Sequence, residues 1–283
     1  MAGISRRTFL SLMGLTVTAP PLAAAGGYYY ATEYEPDWIE ITQIELTLPR
    51  LAPQFNGFRL VQFSDIHRDE WMTPTRVADV INQVNLQLPD AIVLTGDLVT
   101  GLIRDVASDM TQALSELIAP TYSVPGNWDH WGYIPRWEQL MEESGIVNLM
   151  NRHSSIEREG QVLHIAGLDD ALQGTPQLDM VASQIPSEGA AILLMHEPDF
   201  ADITIKNGRF DLQLSGHSHG GQVNIPLLGP QYLPEMGQKY VRGLYQAGSF
   251  QLYVNRGVGM VREVARFNCR PEITVFTLRS PNI

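Results

Sequence analysis

Two histidines separated by a single residue, His217 and His219, form a pair that could bind a metal ion. Gly216 and Gly220 flank the pair, and an apolar-rich run over residues 210–214 predicts a buried strand that ends in a tight loop. A single His is more often structural than a ligand, but two imidazoles at this spacing between glycines favour coordination of a divalent metal.

Four further apolar runs end in side chains that bind metal ions. Each run is short and β-prone, which predicts strands buried on both faces of a sheet. Open α/β sheets place their sites at the carboxyl ends of such strands, and oxygen and nitrogen donors there suit hard or borderline divalent cations. The runs and the donors after them are residues 60–64 with Asp65 and His67, 91–95 with Asp97, 121–125 with Asn127, and 191–195 with His196.

The ordered set Asp-x-His, Gly-Asp, Gly-Asn, His and Gly-His-x-His resembles the calcineurin-like metallophosphoesterase family. Sequence around residues 63–67, 195–199 and 216–223 is similar to the exported bacterial branch of that family. The resemblance spans residues 37–280 and implies a mixed α/β fold in which two packed mixed β-sheets are flanked by helices, a four-layer sandwich.

The resemblance also implies a centre of two divalent cations, for which this mixture of ligands suits Mn, Fe or Zn. Asp97 would bridge the two ions, and Asp97 and Asn127 would be catalytic residues. The implied reaction is hydrolysis of a phosphodiester or phosphomonoester by attack of a metal-activated hydroxide. The implied ligands are Asp65, His67 and His219 for one ion and Asn127, His196 and His217 for the other.

Two positions depart from the family pattern. Trp128 stands where the family usually has a His that protonates the leaving group, and Thr100 stands where it often has a second Asp. Loss of that His favours substrates with good leaving groups, such as phosphodiesters or pyrophosphates, or a substitute acid at His130. Trp128 is then a candidate substrate contact, and Arg256 is another because a guanidinium suits a phosphate.

Composition limits the class of protein. The chain has 283 residues, 44% of them hydrophobic, which is enough for one large domain, predicted over residues 26–283. Its 19 basic and 31 acidic residues give a net charge of −12, which argues against a nucleic-acid partner. The single cysteine, Cys269, excludes an intramolecular disulfide.

The first residues carry an export signal. Arg6 and Arg7 match the twin-arginine pattern, and a moderately apolar stretch follows over residues 10–25. We therefore expect residues 1–25 to engage the twin-arginine export machinery and the protein to work in the periplasm, the cell envelope or at the outer face of the cytoplasmic membrane. The alternative is a retained N-terminal membrane anchor or a peripheral membrane association, although the stretch is short for a span.

Hydrophobic periodicity predicts the elements that position these residues. The first half of the chain alternates strands with helices over residues 75–88, 106–118 and 135–144, whereas the second half contains mostly strands. Residues 38–48 alternate apolar and polar side chains, which predicts an antiparallel strand near a sheet edge. This order favours two packed mixed sheets.

Three functions agree with these features. The first is a metal-dependent phosphoesterase that acts on a phosphorylated small molecule or lipid in the cell envelope. The second is a pyrophosphate hydrolase of the UDP-2,3-diacylglucosamine type, from lipid A or glycolipid synthesis. The third is not an enzyme but a metal-binding scaffold protein of the envelope that has lost turnover through Trp128.

Overall fold

A computed structural model of the chain describes residues 25–281. The expected leader over residues 1–25 therefore lies, apart from Ala25, outside the described residues. Residues 25–37 form consecutive helical turns that precede the first strand. Among residues 25–281, no helix has both the length and the apolar composition that a membrane span requires.

The first sheet has six strands in the order β1-β14-β2-β3-β4-β5. Strands β2 to β5 run parallel, because helices carry the chain back after each strand, and β14 runs antiparallel to β2. The last strand of the described chain thus lies between the first two. The strands are β1 (Glu40–Thr47), β2 (Arg59–Phe63), β3 (Ala91–Thr95), β4 (Thr121–Val124), β5 (Val147–Asn148) and β14 (Glu272–Arg279).

The second sheet also has six strands, in the order β12-β13-β9-β8-β7-β6. Its centre, β13-β9-β8-β7, is parallel, and the two edge strands pair antiparallel. A separate two-stranded hairpin, β10–β11, projects from the loop after β9. The strands are β6 (Arg152–Arg158), β7 (Gln161–Gly167), β8 (Ala190–Leu194), β9 (Leu212–Ser215), β10 (Asn224–Ile225), β11 (Gly229–Pro230), β12 (Gly243–Ala247) and β13 (Phe250–Val254).

Helices cover the outer face of each sheet. Three of them pack on the first sheet and two on the second, and a single-turn helix follows β4. The outer-face helices are α1 (Pro74–Asn85), α2 (Ile103–Leu114) and α4 (Ile134–Glu143) on the first sheet, and α5 (Leu178–Gln184) and α6 (Ala201–Asn207) on the second; α3 (Asn127–Trp131) is the single turn.

Side-chain alternation along the buried strands builds the layers. In β3, Val93 points into the core between the two sheets, whereas Ile92 and Leu94 point to the helices. In β8, Ile192 joins the same inter-sheet core, and Leu193 packs towards the outer helices. The molecule is therefore the expected mixed α/β fold, in which two packed mixed sheets are flanked by helices.

One strand prediction was wrong. β1 lies at a sheet edge as expected, but it pairs parallel to β14, with Ile41 opposite Ile273, and not antiparallel. Alternation within a strand reports which face is buried and says nothing of the direction of a partner that is distant in sequence. The sequence analysis also missed the short helix α3 and the strands β11 and β12.

Candidate metal centre

Five strand ends bring the predicted ligands together. β2, β3 and β4 of the first sheet and β8 and β9 of the second all end at the same edge of the sandwich. Two groups of three side chains form there, and within each group the ligand atoms all lie within 4.8 Å of one another. The groups are Asp65, His67 and His219, and Asp97, His196 and His217, and all six residues are buried.

The backbone at the ligands is unusual. Five of the seven predicted ligands have φ values between 50° and 68°, a left-handed region that L-residues rarely adopt. Such backbone persists only where surrounding contacts enforce it, and it clusters at functional sites. The residues concerned are Asp65, His67, Asp97, His217 and His219.

In the first triad, ring nitrogens and a carboxylate oxygen converge. Nε2 of His67 lies 3.1 Å from Nε2 of His219, and the two rings are stacked with centroids 4.9 Å apart. Nε2 of His219 lies 3.4 Å from Oδ1 of Asp65. Two imidazole nitrogens that face each other this closely need a proton or a cation between them, and a buried carboxylate beside them favours a cation.

Asp97 connects the two triads. Its Oδ2 lies 3.1 Å from Nε2 of His196 in the second triad and 3.5 Å from Nε2 of His67 in the first. Its Oδ1 accepts a hydrogen bond from the backbone N–H of Trp128 at 2.9 Å, which fixes the carboxylate plane. One carboxylate oxygen therefore faces ligand nitrogens of both groups, the position required of a bridging ligand.

Backbone and hydroxyl groups orient the imidazoles. Nδ1 of His196 donates to the carbonyl of Thr95 at 2.6 Å, so that Nε2 carries the lone pair towards Asp97. Nδ1 of His67 lies 3.3 Å from the Thr100 hydroxyl, which orients the ring in the same way. In metal sites, such partners fix the tautomer of the ligating His and strengthen it as a ligand.

His217 has the opposite orientation. Its Nε2 donates to the carbonyl of Glu235 at 2.8 Å, which leaves Nδ1 as the nitrogen that faces the second triad. Its backbone N–H donates to the carboxylate of Asp65 at 3.0 Å. Burial lowers the pKa of both His217 and His67 to about 4, which leaves the rings neutral with a free lone pair.

The two carboxylates of the centre have opposite pKa shifts. Burial raises the pKa of Asp65 to about 7. Burial alone would also raise the pKa of Asp97, but the facing imidazoles, His196 above all, lower it to about 2. Burial opposes the charge on His196 too, yet Asp97 outweighs it and raises the pKa of that ring. The space between Asp97 and His196 therefore favours a positive charge.

Buried polar atoms that have no hydrogen-bond partner indicate whether metal ions fit the centre. Asn127 Oδ1 and His196 Nε2 are buried and have no hydrogen-bond partner. A buried polar atom without a partner is costly, and each of these types is a metal donor. The donor set of carboxylates, imidazoles and one amide oxygen therefore fits two borderline divalent cations.

Sequence analysis missed Asp129, which holds the loop that carries Asp97. Its carboxylate accepts hydrogen bonds from the backbone N–H groups of Asp97 at 2.9 Å, Leu98 at 2.9 Å and Gly126 at 3.0 Å. Burial, followed by the charge of Asp97, raises its pKa to about 7. The only sequence signal is an acidic residue two positions after the Gly126-Asn127 pair.

Two glycines give the centre its room. A Cβ at Gly96, which has φ +92°, would lie 2.5 Å from Nδ1 of His196. A Cβ at Gly126 would lie 2.3 Å from Oδ1 of Asp97. The glycine before each of these ligand loops is therefore required by close approach and, at Gly96, also by the backbone conformation.

A cavity of about 660 Å³ opens beside the centre. Asp97, Asn127, His217 and His219 of the centre line it, together with Trp128. The rest of the lining is largely uncharged, and its charged members are Glu235, Arg262 and Glu263. The ring of Trp128 packs edge-on against His67 at 5.8 Å and against Trp131 at 4.9 Å. Trp128 thus lines the cavity next to the ligands, and its contact with a substrate stays a prediction.

His130 and Arg256 each contact protein carboxylates. In the part of the chain from 25 to 281, neither lines this cavity. Nε2 of His130 lies 2.7 Å from Oδ1 of Asp169, and this carboxylate raises the pKa of His130 although burial acts in the opposite direction. Arg256 donates to the carboxylates of Glu272 and Glu40. Substrate contact by Arg256 and acid catalysis by His130 remain predictions without support from this placement.

The Thr100 hydroxyl provides a test of imidazole orientation. Replacement of Thr100 by Val keeps the shape of the side chain and removes the partner of His67 Nδ1. We expect metal affinity to fall by about tenfold to a hundredfold, measured by competition with a chelating dye. Thr121→Val is the matched control, because its hydroxyl donates to Ala119 at the far end of β4. Equal affinity in both variants would show that Thr100 does not orient the ligand.

Comparisons with known proteins agree with this geometry. The sequence model of the calcineurin-like phosphoesterase family matches residues 58–221. The uncharacterised metallophosphoesterase YkuE of Bacillus subtilis is 39% identical over 287 residues, which cover 100% of both chains. The phosphodiesterase YaeI of Escherichia coli is 30% identical over 284 residues, 97% of this chain and 99% of its own.

A third relative is more distant. The UDP-2,3-diacylglucosamine pyrophosphatase LpxG of Chlamydia muridarum is 24% identical over 324 residues, 93% of this chain and 97% of its own. The family match covers more than half of the chain, and it coincides with the strand ends that carry the two triads. The chain therefore belongs to the calcineurin-like phosphoesterase family, hydrolases of phosphoric esters with a dinuclear divalent metal centre.

Proposed function

We propose that this protein hydrolyses phosphodiesters at a centre of two divalent cations held by seven side chains. The observation that carries the proposal is the position of Asp97 Oδ2, which faces His196 of one triad and His67 of the other. When bound, two cations in such a centre polarise a phosphoryl oxygen and acidify a water molecule. The ligands are Asp65, His67, Asp97, Asn127, His196, His217 and His219.

The residues around the centre determine which esters can react. Asn127 presents a buried amide oxygen without a protein partner, and the indole of Trp128 lines the cavity beside it. No proton donor stands at position 128, and Nε2 of His130 is engaged by Asp169. An alkoxide leaves poorly without a proton. We therefore propose phosphodiesters with stable leaving groups as the substrates.

We also propose that the protein works outside the cytoplasm, as one domain over residues 26–283. Arg6 and Arg7, followed by the apolar stretch over residues 10–25, support a twin-arginine leader at residues 1–25. The export machinery that reads this leader carries folded proteins, which suits a site assembled from five strand ends of two sheets. The proposed location is the periplasm, the cell envelope or the outer face of the membrane.

A pyrophosphate of the UDP-2,3-diacylglucosamine type is the second candidate substrate. LpxG, whose name states that activity, aligns with 93% of this chain. A large and mostly uncharged cavity beside the metal centre would accommodate an acylated sugar. Cleavage of the pyrophosphate bond would release a phosphate anion, which leaves without a proton, and this agrees with Trp128 at the position of the usual acid.

The test compares three substrates and the effect of metal removal. The protein is stripped with a chelator, reloaded with Mn²⁺, Fe²⁺ or Zn²⁺, and assayed on bis(p-nitrophenyl) phosphate, p-nitrophenyl phosphate and a UDP-diacylglucosamine. We expect no turnover in the stripped protein, recovery on reloading, and faster cleavage of the diester than of the monoester.

The outcomes separate the candidate functions. Faster cleavage of the UDP-diacylglucosamine than of the diester would favour pyrophosphate hydrolysis over phosphodiester hydrolysis as the function. Two bound metals per chain with no cleavage of any of the three would support the non-enzymatic scaffold. Full activity after chelation, with no metal left in the protein, would contradict the two-metal proposal altogether.

A further inference from the structure

The hairpin β10–β11 exposes aliphatic side chains at its tip. Leu227 is fully exposed, Leu228 is 75% exposed, and Ile225 is also exposed. Residues 222–234, which contain the whole hairpin, include no Asp, Glu, Lys or Arg in a chain of net charge −12. Single exposed leucines are ordinary on protein surfaces, but a cluster of three on an uncharged segment marks a site of interaction.

The base of the hairpin is firmly held, so the tip is presented by a rigid support. The backbone N–H of Asn224 donates to the carbonyl of Phe267 at 2.8 Å, and its side chain donates to Gly220 at 2.9 Å. The backbone N–H of Gln231 donates to the carbonyl of Val223 at 3.1 Å. These contacts hold the two strands against the loop that carries His219.

A second exposed apolar group lies where the described chain begins. Tyr28 and Tyr29 are 73% and 65% exposed. The next residue, Tyr30, packs edge-on against Phe267 at 6.2 Å, and Ala31 accepts a hydrogen bond from the N–H of Arg266 at 2.8 Å. Phe267 thus contacts both the N-terminal helical turns and the base of the hairpin.

The sequence before these turns indicates which kind of surface binds the exposed apolar groups. In the sequence, a moderately apolar stretch over residues 10–25 comes directly before Gly26 and the exposed tyrosines. Tyrosine is enriched at membrane–water interfaces, and Tyr28 and Tyr29 are exposed there. An interface with a soluble partner protein usually has a rim of charged or hydrogen-bonding groups. Residues 222–234 include no charged side chain that could form such a rim.

We propose that the tip of the β10–β11 hairpin, residues 225–228, inserts into the surface of a lipid bilayer, with Tyr28 and Tyr29 at the same interface. Burial of the aliphatic side chains in the acyl region drives the association. The hairpin has no basic residues and the chain has a net charge of −12, so the association gains nothing from anionic lipids.

The position of the hairpin relates this surface to the metal centre. Val223 and Gln231, at the base of the two strands, line the same cavity as Asp97 and His217. Insertion of the tip therefore places one side of the cavity next to the bilayer surface. Insertion itself requires no hydrolysis and does not depend on the proposed function.

The test places an environment-sensitive fluorophore at the tip. In the full-length chain, Leu228→Cys is labelled with nitrobenzoxadiazole, and native Cys269 stays unlabelled because it is buried. Leu86→Cys is the matched control, since Leu86 is 61% exposed at the end of α1, close to the amino end of β3 and far from the ligands. Circular dichroism and metal content confirm that both labelled proteins are folded.

Vesicles of phosphatidylcholine are then added. We expect the emission of the label at 228 to shift to shorter wavelength and to be quenched by brominated acyl chains, with no change for the label at 86. Vesicles with added phosphatidylglycerol should bind no more tightly. A label at 228 that stays in water, or equal shifts at both sites, would overturn the proposal.

A second pair of variants measures the contribution of the leucines. Leu227→Gln combined with Leu228→Gln should reduce the affinity of the full chain for the same vesicles by about tenfold or more, because two aliphatic side chains no longer enter the bilayer. Leu86→Gln should leave it unchanged. A shift of the label at 228 that depends on protein concentration without vesicles would instead show that a second copy of the chain covers the tip.

Discussion

Replacement of Asp97 by Asn is expected to lower phosphodiester turnover by about a thousandfold or more and to leave fewer than two metals bound per chain. Oδ2 of Asp97 lies 3.1 Å from Nε2 of His196 and 3.5 Å from Nε2 of His67, so it faces ring nitrogens of both triads. An amide carries no negative charge, so one cation loses its bridging anion. Metal activation contributes several kcal/mol to such reactions, which corresponds to the stated loss of rate.

The control is a buried carboxylate away from the centre. Asp211 is 3% exposed, and it accepts hydrogen bonds from Arg50 and from the backbone N–H of Ala191. Asp211→Asn should lose stability yet keep both metals and most of its turnover. Metal content by atomic emission and initial rates on bis(p-nitrophenyl) phosphate are the measurements. If Asp97→Asn retained two metals and its rate, the assignment of the bridge would be wrong.

Replacement of Arg266 by Met is expected to lower the free energy of unfolding by about 3–5 kcal/mol. The side chain is fully buried, and its guanidinium donates to four backbone carbonyls, of Arg256, Gly257, Gly259 and Cys269, at 2.6 to 3.1 Å. Met fills most of the volume but cannot donate, so four buried acceptors lose their partner.

Arg266→Met should also affect the metal centre, because Arg266 binds carbonyl groups of the loop after β13. The backbone N–H of Gly259 donates to the carbonyl of Asp65 at 2.8 Å, and a Cβ at Gly257 would lie 2.7 Å from Cβ of Asp65. A displaced loop would therefore move Asp65, and metal affinity should fall together with stability. Urea denaturation with Arg136→Met, an exposed arginine on α4, as control measures the first effect. A loss below about 1 kcal/mol would contradict the proposed role of Arg266.

The strands and the order of the ligands could be predicted from the sequence because a strand buried on both faces reads as a short apolar run. The predicted strand over residues 91–95 is β3, and the helix expected over 135–144 is α4, which occupies Ile134–Glu143. Helix ends differ by several residues, since the helix expected over residues 106–118 is α2, Ile103–Leu114. Runs that end in donor residues led to the two triads, since parallel strands meet at their carboxyl edge.

The contacts that orient the ligands could not be predicted from the sequence. The hydroxyl of Thr100 on His67 and the carboxylate of Asp129 on three backbone N–H groups depend on loops with left-handed backbone, which no local pattern specifies. The ion pairs of Arg256 depend likewise on Glu40, which is 216 residues away in the chain, and on Glu272, which is 16 residues away. These contacts depend on how separate segments of the chain pair in the fold, which a local sequence pattern does not specify.

The position of β14 between β1 and β2 bears on how the chain acquires its structure during synthesis. Side chains of Thr42 and Glu272, which are 230 residues apart, hydrogen-bond to each other across this junction. While a ribosome is still translating the middle of the chain, β2 presents an open edge, which is a template for aggregation. The first sheet therefore stays incomplete until β14 has been synthesised, and a chain cut before β14 would be a substrate for chaperones and proteases.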